Sequence, residues 1–234
     1  MNLENWTERN WPEMPLLEGK FVRLERMAEG KHISDLFKTC ATPEEIERAH
    51  FLKVDGADTF DGFSDWARKC INDPSQEFYT VIDKDSGVAC GRQALMRIDT
   101  FNGSIEIGNV HWGNAMARSP KSTEAFFLMA DYVFNGLGYR RLEWKCDSLN
   151  LPSRSAAERF GMSFEGIFRN HMVRYGKNRD TAWFSLIDNE WPATKKAFEF
   201  WLSQDNFDSN GEQKVRLKEF IIRERSHGNS DKVD

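Results

Sequence analysis

The sequence predicts an α/β chain of the α+β kind: a mixed, mostly antiparallel twisted sheet of about seven strands, flanked by helices. Three observations carry this. Alternating, strand-like stretches form a run of three over 77–112, with turn signals between them. Helical apolar spacing then alternates with strands over 122–187, as crossover connections require. And a composition 40% hydrophobic, with 18 Phe and 8 Trp in 234 residues, supplies the apolar surface for a sizeable core.

The elements follow in order. "FVRLERM" (21–27) sets Phe21, Arg23 and Glu25 against Val22, Leu24 and Arg26, a strand. A helix over 31–40 carries Ile33, Leu36 and Phe37 on one face. Residues 41–64 read as loop and short helix, and a second helix covers 63–71. "EFYTVID", "VACGRQALMRID" and "SIEIGNVHW" are strands two to four, parted by the hairpin signals Asp83-Lys84-Asp85-Ser86-Gly87 and Asn102-Gly103. Over 122–137, Phe126, Met129, Ala130, Val133 and Leu137 fall at helical spacing, with Phe127, Leu128 and Phe134 opposite them. That helix is expected to be buried on most sides and to end at Gly136 and Gly138. "RRLEWKC" is strand five, and "NLPSRSAAERFGM" is a helix between Pro152 and Gly161. "FRNHMVRYGKNRDTAWFSLID" is a hairpin turning at Gly176-Lys177-Asn178, and "WPATKKAFEFWLS" is a closing helix. The expected organisation is an N-terminal extension over 1–16, one domain over 17–203, and a charged tail over 204–234. The tail is expected to hold one helix at 214–222 and a mobile end from Ser226.

Charge and motifs exclude several functions. A net charge of −5 gives no electrostatic footprint for nucleic acid. There is no apolar run of membrane-spanning length and no signal-peptide core near the N-terminus. Cys40, Cys70, Cys90 and Cys146 are far apart, so neither disulfides nor zinc are expected, and the setting is read as reducing and cytoplasmic. The five His show no H-x-x-H or H-E-x-x-H spacing, so no metal is expected.

One polar knot stands out. Arg118-Ser119-Pro120-Lys121-Ser122-Thr123 joins the end of strand four to the apolar helix. A helix N-terminus presents unpaired N–H groups and partial positive charge, to which the knot adds two cations and three hydroxyls. It reads either as a phosphate cradle or as an ordinary cap by Ser122 or Thr123, with Glu124 a first-turn acid. No G-x-G-x-x-G or P-loop pattern is present.

"EIGNVHW", "STEAFFLMADYVFNGLGYRRLEWKCDSLNLPSRSAAERFGMSFEGIFRNHM" and "NRDTAWFSLIDNEWP" are specific taken together. With the element order, they resemble the GNAT superfamily of acyl-CoA N-acyltransferases over roughly 17–201, in the branch of ribosomal-protein N-terminal acetyltransferases. The resemblance implies acetyl-CoA as acyl donor and direct attack by a primary amine in a ternary complex. The acceptor is either a small molecule or a peptide N-terminus. It also implies that strand four splays from strand five and pairs with the pantetheine arm near Val110 and Trp112. The family's pyrophosphate turn, Q/R-x-x-G-x-G/A, falls on Ala117, Pro120 and Ser122, which depart from it at all three positions. Pro120 donates no N–H. Arg118, Ser119, Lys121, Ser122 and Thr123 are the expected compensating groups.

Acetyl transfer needs an amine stripped of its proton and a donor for the leaving thiolate. The resemblance assigns the first task to Glu106 on strand four. The tyrosine that many members use as acid is replaced by Ala157. Asn150 is instead implied to hold the cofactor arm and Ser153 to serve the CoA sulfur, with plain helix capping the alternative. His171 lies on strand six near the implied acceptor mouth, as a second base or a structural residue. Segment 41–65 mixes Glu44, Glu45, Glu47, Asp55, Asp58, Asp61 and Asp65 with Phe51, Phe60 and Phe63. This is either an acidic aromatic rim for a protonated amine, Phe63 included, or a solvated loop. The departures at Ala117, Pro120 and Ala157 keep a second function open: a catalytically weak acyl-CoA-binding or partner-binding protein on the same scaffold. The expected partners are an amine acceptor, no nucleic acid and no membrane, with a homodimer left open.

Overall fold

The computed structural model describes residues 3–13, 15–52, 54, 56–117 and 119–230, the side chains of 227–230 excepted. The chain divides into two compact units, Met1–Tyr139 and Arg140–Asp234.

The first unit holds five antiparallel strands in chain order: β1 (Leu17–Glu18), β2 (Val22–Arg26), β3 (Gln76–Asp83), β4 (Ala89–Asp99) and β5 (Ser104–Trp112). The short β1 was not expected, so the predicted fourth strand is β5. Helices α1 (Glu29–Cys40) and α3 (Phe60–Ile71) cover one core, with α2 (Pro43–Arg48) between them in sequence. That core gathers Ile33, Leu36, Phe63, Ala67, Phe78 and Ala94. α3 begins three residues before the predicted start, because the Thr59 side chain accepts from Gly62 N at 3.1 Å and caps it.

α4 (Pro120–Asp131) starts two residues before the predicted start and runs into a widened π turn at Tyr132–Gly136. It is buried at Ala125, Phe126, Met129 and Ala130, as its pattern requires. Glu124 is more than a first-turn acid. Its buried carboxylate accepts from the backbone N–H of Lys20 (2.8 Å), Phe21 (2.6 Å) and Val22 (2.8 Å), and so ties α4 to the start of β2. Charge-assisted bonds of this kind are worth about 1.5–3 kcal/mol each.

The second unit pairs β6 (Arg141–Asp147) with β8 (Lys177–Ile187), and β8 with β7 (Ser163–Arg174), all antiparallel. α5 (Leu151–Arg159) lies between β6 and β7 in sequence. The β7–β8 hairpin turns at Tyr175-Gly176, with φ of 51° and 70°. Two positive φ values in a two-residue loop match the twist of the strands, which is why glycine serves there. β7 starts at Ser163, five residues before the predicted start. α6 (Trp191–Leu202) packs with α7 (Leu217–Ser230): Leu217, Phe220 and Ile221 are buried, and the Phe200 and Phe220 rings stack at 6.0 Å. Arg225 adds bonds to Gly161 O at 2.8 Å and Thr194 Oγ1 at 3.0 Å. α7 therefore runs eight residues beyond the predicted 222, through the stretch expected to be mobile from Ser226. Charge along 214–230 hid the apolar stripe that anchors it.

Candidate active site

Glu106 lies on β5 between the buried Ile105 and Ile107, opposite Met96 of β4. It is only 3% exposed, and its Oε2 accepts from Arg97 Nη1 at 2.8 Å. Two residues along, Gly108 leaves it room: a Cβ there would lie 2.3 Å from Met96 Sδ and 3.0 Å from Glu106 Oε1. A proton taken by this carboxylate weakens a charge-assisted bond to Arg97. Arg97 escaped the sequence reading because its left-handed backbone, φ 47°, breaks the strand alternation that would have placed it.

Further along β5 the ladder shifts. Ala94 pairs with Gly108 but Arg92 pairs with His111, so β5 carries one extra residue. Asn109, with φ 50°, marks this bulge, beside Val110. Trp112 follows; its Nε1 donates to Gln93 Oε1 at 2.9 Å and its carbonyl accepts from Arg48 Nη2.

The knot behaves as a cap first. Ser119 Oγ donates to Met116 O at 3.0 Å and accepts from Lys121 N at 3.4 Å, with Pro120 at the first helical position. The capping residue is therefore Ser119, in place of the expected Ser122 or Thr123. Lys121 Nζ pairs with Asp83 Oδ2 at 2.9 Å. Burial pushes the Asp83 carboxyl up, but bonds from Lys121, Ser86 and the Asp85 amide outweigh it and hold it below the usual range. Ser122 is half-buried and Thr123 buried. Arg118 lies outside the described residues. A Lys ammonium and a hydroxyl-bearing first turn suit a phosphate, whereas the missing Pro120 N–H does not.

In the second unit, Asn150 caps α5 by accepting from Ser153 N at 3.1 Å. Ser153 Oγ accepts from the Trp144 indole at 3.0 Å and turns its hydroxyl proton to the Cys146 sulfur. Burial raises the Cys146 thiol, against a bond from Ser153. His171 is exposed on β7, where the pairing with β8 shifts. Its Nδ1 is 2.9 Å from Thr181 Oγ1, and its ring meets Phe168 edge-on at 5.5 Å.

The acidic segment divides. Glu44, Glu47, Asp58, Asp61 and Asp65 are exposed, and Asp55 lies outside the described residues. Phe63 is 1% exposed, its ring packed in the core at 5.8 Å from Phe37 and 5.2 Å from Trp66, while Phe60 is exposed. Glu45 is buried. It accepts from Arg48, from Asn114 N at 3.0 Å, and its Oε2 lies 3.0 Å from His111 Nε2. Burial, then the charge of Arg92, push His111 down to about 4, against the pull of Glu45, so the imidazole is neutral near pH 7. This pair was missed; an acid with i,i+3 Arg in a surface-like run gave no sign of burial, and the alternation of "EIGNVHW" was the one cue that His111 faces inward.

The family model for the Acetyltransferase (GNAT) domain matches residues 22–163, more than half of the chain. The chain belongs to the GNAT family. A crystal structure of a GCN5-related N-acetyltransferase from Brucella melitensis is similar at 51% identity, covering 94% of this chain and 100% of that one, with a TM-score of 0.91. Among curated proteins, the "Uncharacterized N-acetyltransferase p20" of Bacillus licheniformis is 31% identical over 52% of this chain and 70% of its own. The "Putative ribosomal N-acetyltransferase YdaF" of Bacillus subtilis is 28% identical over 56% and 69%. This GNAT chain is thus an N-acetyltransferase, and membership implies acetyl-CoA as the acetyl donor. Among the described residues no helix is long and apolar enough to cross a membrane, and no group of three or more His, Cys, Asp and Glu is placed to hold a metal.

Proposed function

We propose that this chain transfers acetyl from acetyl-CoA to a primary amine by direct attack, with Glu106 as the proton acceptor. The observation that carries this reading is the buried Glu106 carboxylate of β5, held by Arg97 of β4 and lying three residues before the bulge at Asn109. Acetyl-CoA supplies an activated thioester. The protein must then do two things: take a proton from the acceptor ammonium so that the nitrogen lone pair can attack, and stabilise the departing thiolate with a hydrogen bond. Glu106 does the first, directly or through one water. Ser153 does the second: its oxygen accepts from Trp144, and its hydroxyl proton turns from Cys146 to hydrogen-bond the departing sulfur. Asn150, fixed by capping α5, orients the first turn that bears Ser153. Lys121, Ser122 and Thr123 bind pyrophosphate at the start of α4, and the β5 backbone at Val110 pairs with the pantetheine amides.

The acceptor is an amine, either small or a peptide N-terminus; the ribosomal label of one relative keeps the peptide class in view. The exposed acids of 44–65 suit an ammonium group, and the reaction is expected to run in the cytoplasm. Thiol release from acetyl-CoA, measured with amino acids, simple amines and peptides with free N-termini, tests the reading. Turnover that needs a free amine supports it. Tight binding of CoA with no turnover of any acceptor overturns it.

A further inference from the structure

The first unit buries a cation beneath α1 and α3. Arg92 is 2% exposed on β4, directly across the ladder from Thr80 of β3. Its Nη1 donates to the carbonyl of Asn109, the bulge residue, at 2.9 Å, and its guanidinium sits 4.3 Å from the centroid of the Trp66 ring on α3. Among the described residues no carboxylate pairs with it, and its buried Nε has no hydrogen-bond partner. Thr80 Oγ1, at 0% exposure, has none either. Two facing buried polar groups left unmatched are rare in folded proteins, because each costs the water it gave up. Phe78 and Ala94, the next pair along the same face, are apolar, and the polar neighbour on the other side, His111 of β5, is already engaged with Glu45.

The guanidinium presents a defined edge. Nε shares a guanidinium edge with Nη2, the edge that takes a carboxylate in a two-point grip, while Asn109 uses Nη1 on the far side. Thr80 offers a hydroxyl beside it, and Trp66 a flat apolar wall. One cation with one hydroxyl matches the single charge of a carboxylate better than a phosphate dianion, which calls for more donors. We propose that Arg92, Thr80 and Trp66 form a recognition site for a carboxylate on the acceptor, so that the preferred substrates are amino acids or amines with a nearby carboxylate. This rests on the acetyl-transfer reading above. The bond to Asn109 places the cation one residue from Val110, on the strand stretch assigned there to the cofactor arm. An acceptor that carries both charges also makes sense of an acidic segment and a buried arginine in one unit.

Matched acceptor pairs test this: L-phenylalanine against phenethylamine, and L-leucine against isoamylamine, with wild type, Arg92→Lys and Arg92→Met. The expected wild-type preference for the carboxylate member is about tenfold or more in kcat/KM. Arg92→Met should erase the preference within each pair through KM, whatever loss the two members share from the broken bond to Asn109, and Arg92→Lys should keep part of it. Equal turnover of both members by the wild type overturns the proposal. So does a preference that survives in Arg92→Met. Calorimetric titration with acetate and 3-phenylpropionate separates this from the underlying reading. If no amine is turned over, the acetyl-transfer reading fails, and carboxylate binding that is lost in Arg92→Met still upholds the site; no binding of either probe to the wild type overturns it. Thermal melts guard against misfolding: Arg92→Met exchanges an uncompensated cation for an unpaired Asn109 carbonyl, so its Tm should stay near that of wild type. A large loss of stability with discrimination intact would make Arg92 a brace for the bulge.

Discussion

Lys121, at the start of α4, pairs with Asp83, at the end of β3, across 2.9 Å. The described cation of the knot therefore already has a carboxylate, and Asp83 is further anchored by Ser86 Oγ at 3.0 Å and the Asp85 amide at 3.2 Å. A phosphate has to share Lys121 with Asp83. Lys121→Met is expected to weaken CoA binding by about threefold to tenfold, less than a free buried cation would give, because the pair is partly neutralised. Asp83→Asn should tighten it slightly. Calorimetry with CoA and with pantetheine is the measurement. An equal loss for both ligands removes Lys121 from the cradle.

Glu106→Gln keeps the shape and a bond to Arg97 but cannot take a proton. It is expected to lower kcat by about 10²–10⁴, the usual worth of general acid–base catalysis. The deficit should shrink as pH rises, because more of the amine is already neutral. CoA affinity should hardly move. A pH–rate profile under conditions where chemistry is rate-limiting decides it, and near-normal kcat at neutral pH would pass the role to ordered water or to His171.

Ser153→Ala removes the hydroxyl that Trp144 fixes at 3.0 Å. If the hydroxyl serves the leaving thiolate, kcat falls and high pH does not restore it, in contrast to Glu106→Gln. Trp144→Phe, which keeps the hydroxyl but removes its orienting donor, should fall between wild type and Ser153→Ala. Leaving-group analogues of lower thiol pKa should narrow the gap, since a better leaving group needs less help. A Ser153→Ala deficit that is unchanged across such analogues would make Ser153 a helix-capping partner only.

The fold was legible wherever a periodic pattern met a turn signal: the β3–β5 meander, the apolar α4 and the β7–β8 hairpin could all be read. What was hidden depends on contacts distant in sequence. Glu124 looks like a helix-dipole acid until its three bonds to 20–22 are seen. Glu45 looks like one surface charge among many until His111 closes on it. Phe63 and Phe60 look equivalent in a mixed acidic run, yet helix phase sends one to the core and leaves the other exposed. Arg92 did leave a trace, a charged residue inside the small and apolar run "VACGRQALM", but alternation alone does not say whether such a residue is paired.

The Glu45–His111 pair makes stability depend on pH in a definite direction. In the unfolded chain the His111 imidazole titrates near 6.5; in the fold, burial and the charge of Arg92 bring it to about 4. Between those values the unfolded state binds a proton that the native state refuses, so falling pH favours unfolding. The contribution is fully present above about pH 6.5 and is lost towards pH 4, and the whole shift corresponds to about 3 kcal/mol. Glu45 acts in the same sense lower down. Burial raises it, but Arg48 and His111 outweigh burial and hold it below its ordinary 4.5, so its contribution is lost as pH falls from there through the lowered value. The expected result is a Tm that declines from pH 7 to pH 4. His111→Gln keeps a neutral donor for Glu45 and has no imidazole to protonate, so its Tm should be flatter between pH 6.5 and 4.5 and still fall below that. His32, which burial also pushes down against its bond to Glu25, leaves a residual slope in the variant. Thermal melts at half-unit pH steps read this out. A variant that loses Tm as steeply as wild type between pH 6.5 and 4.5 would move the acid sensitivity from His111 to His32.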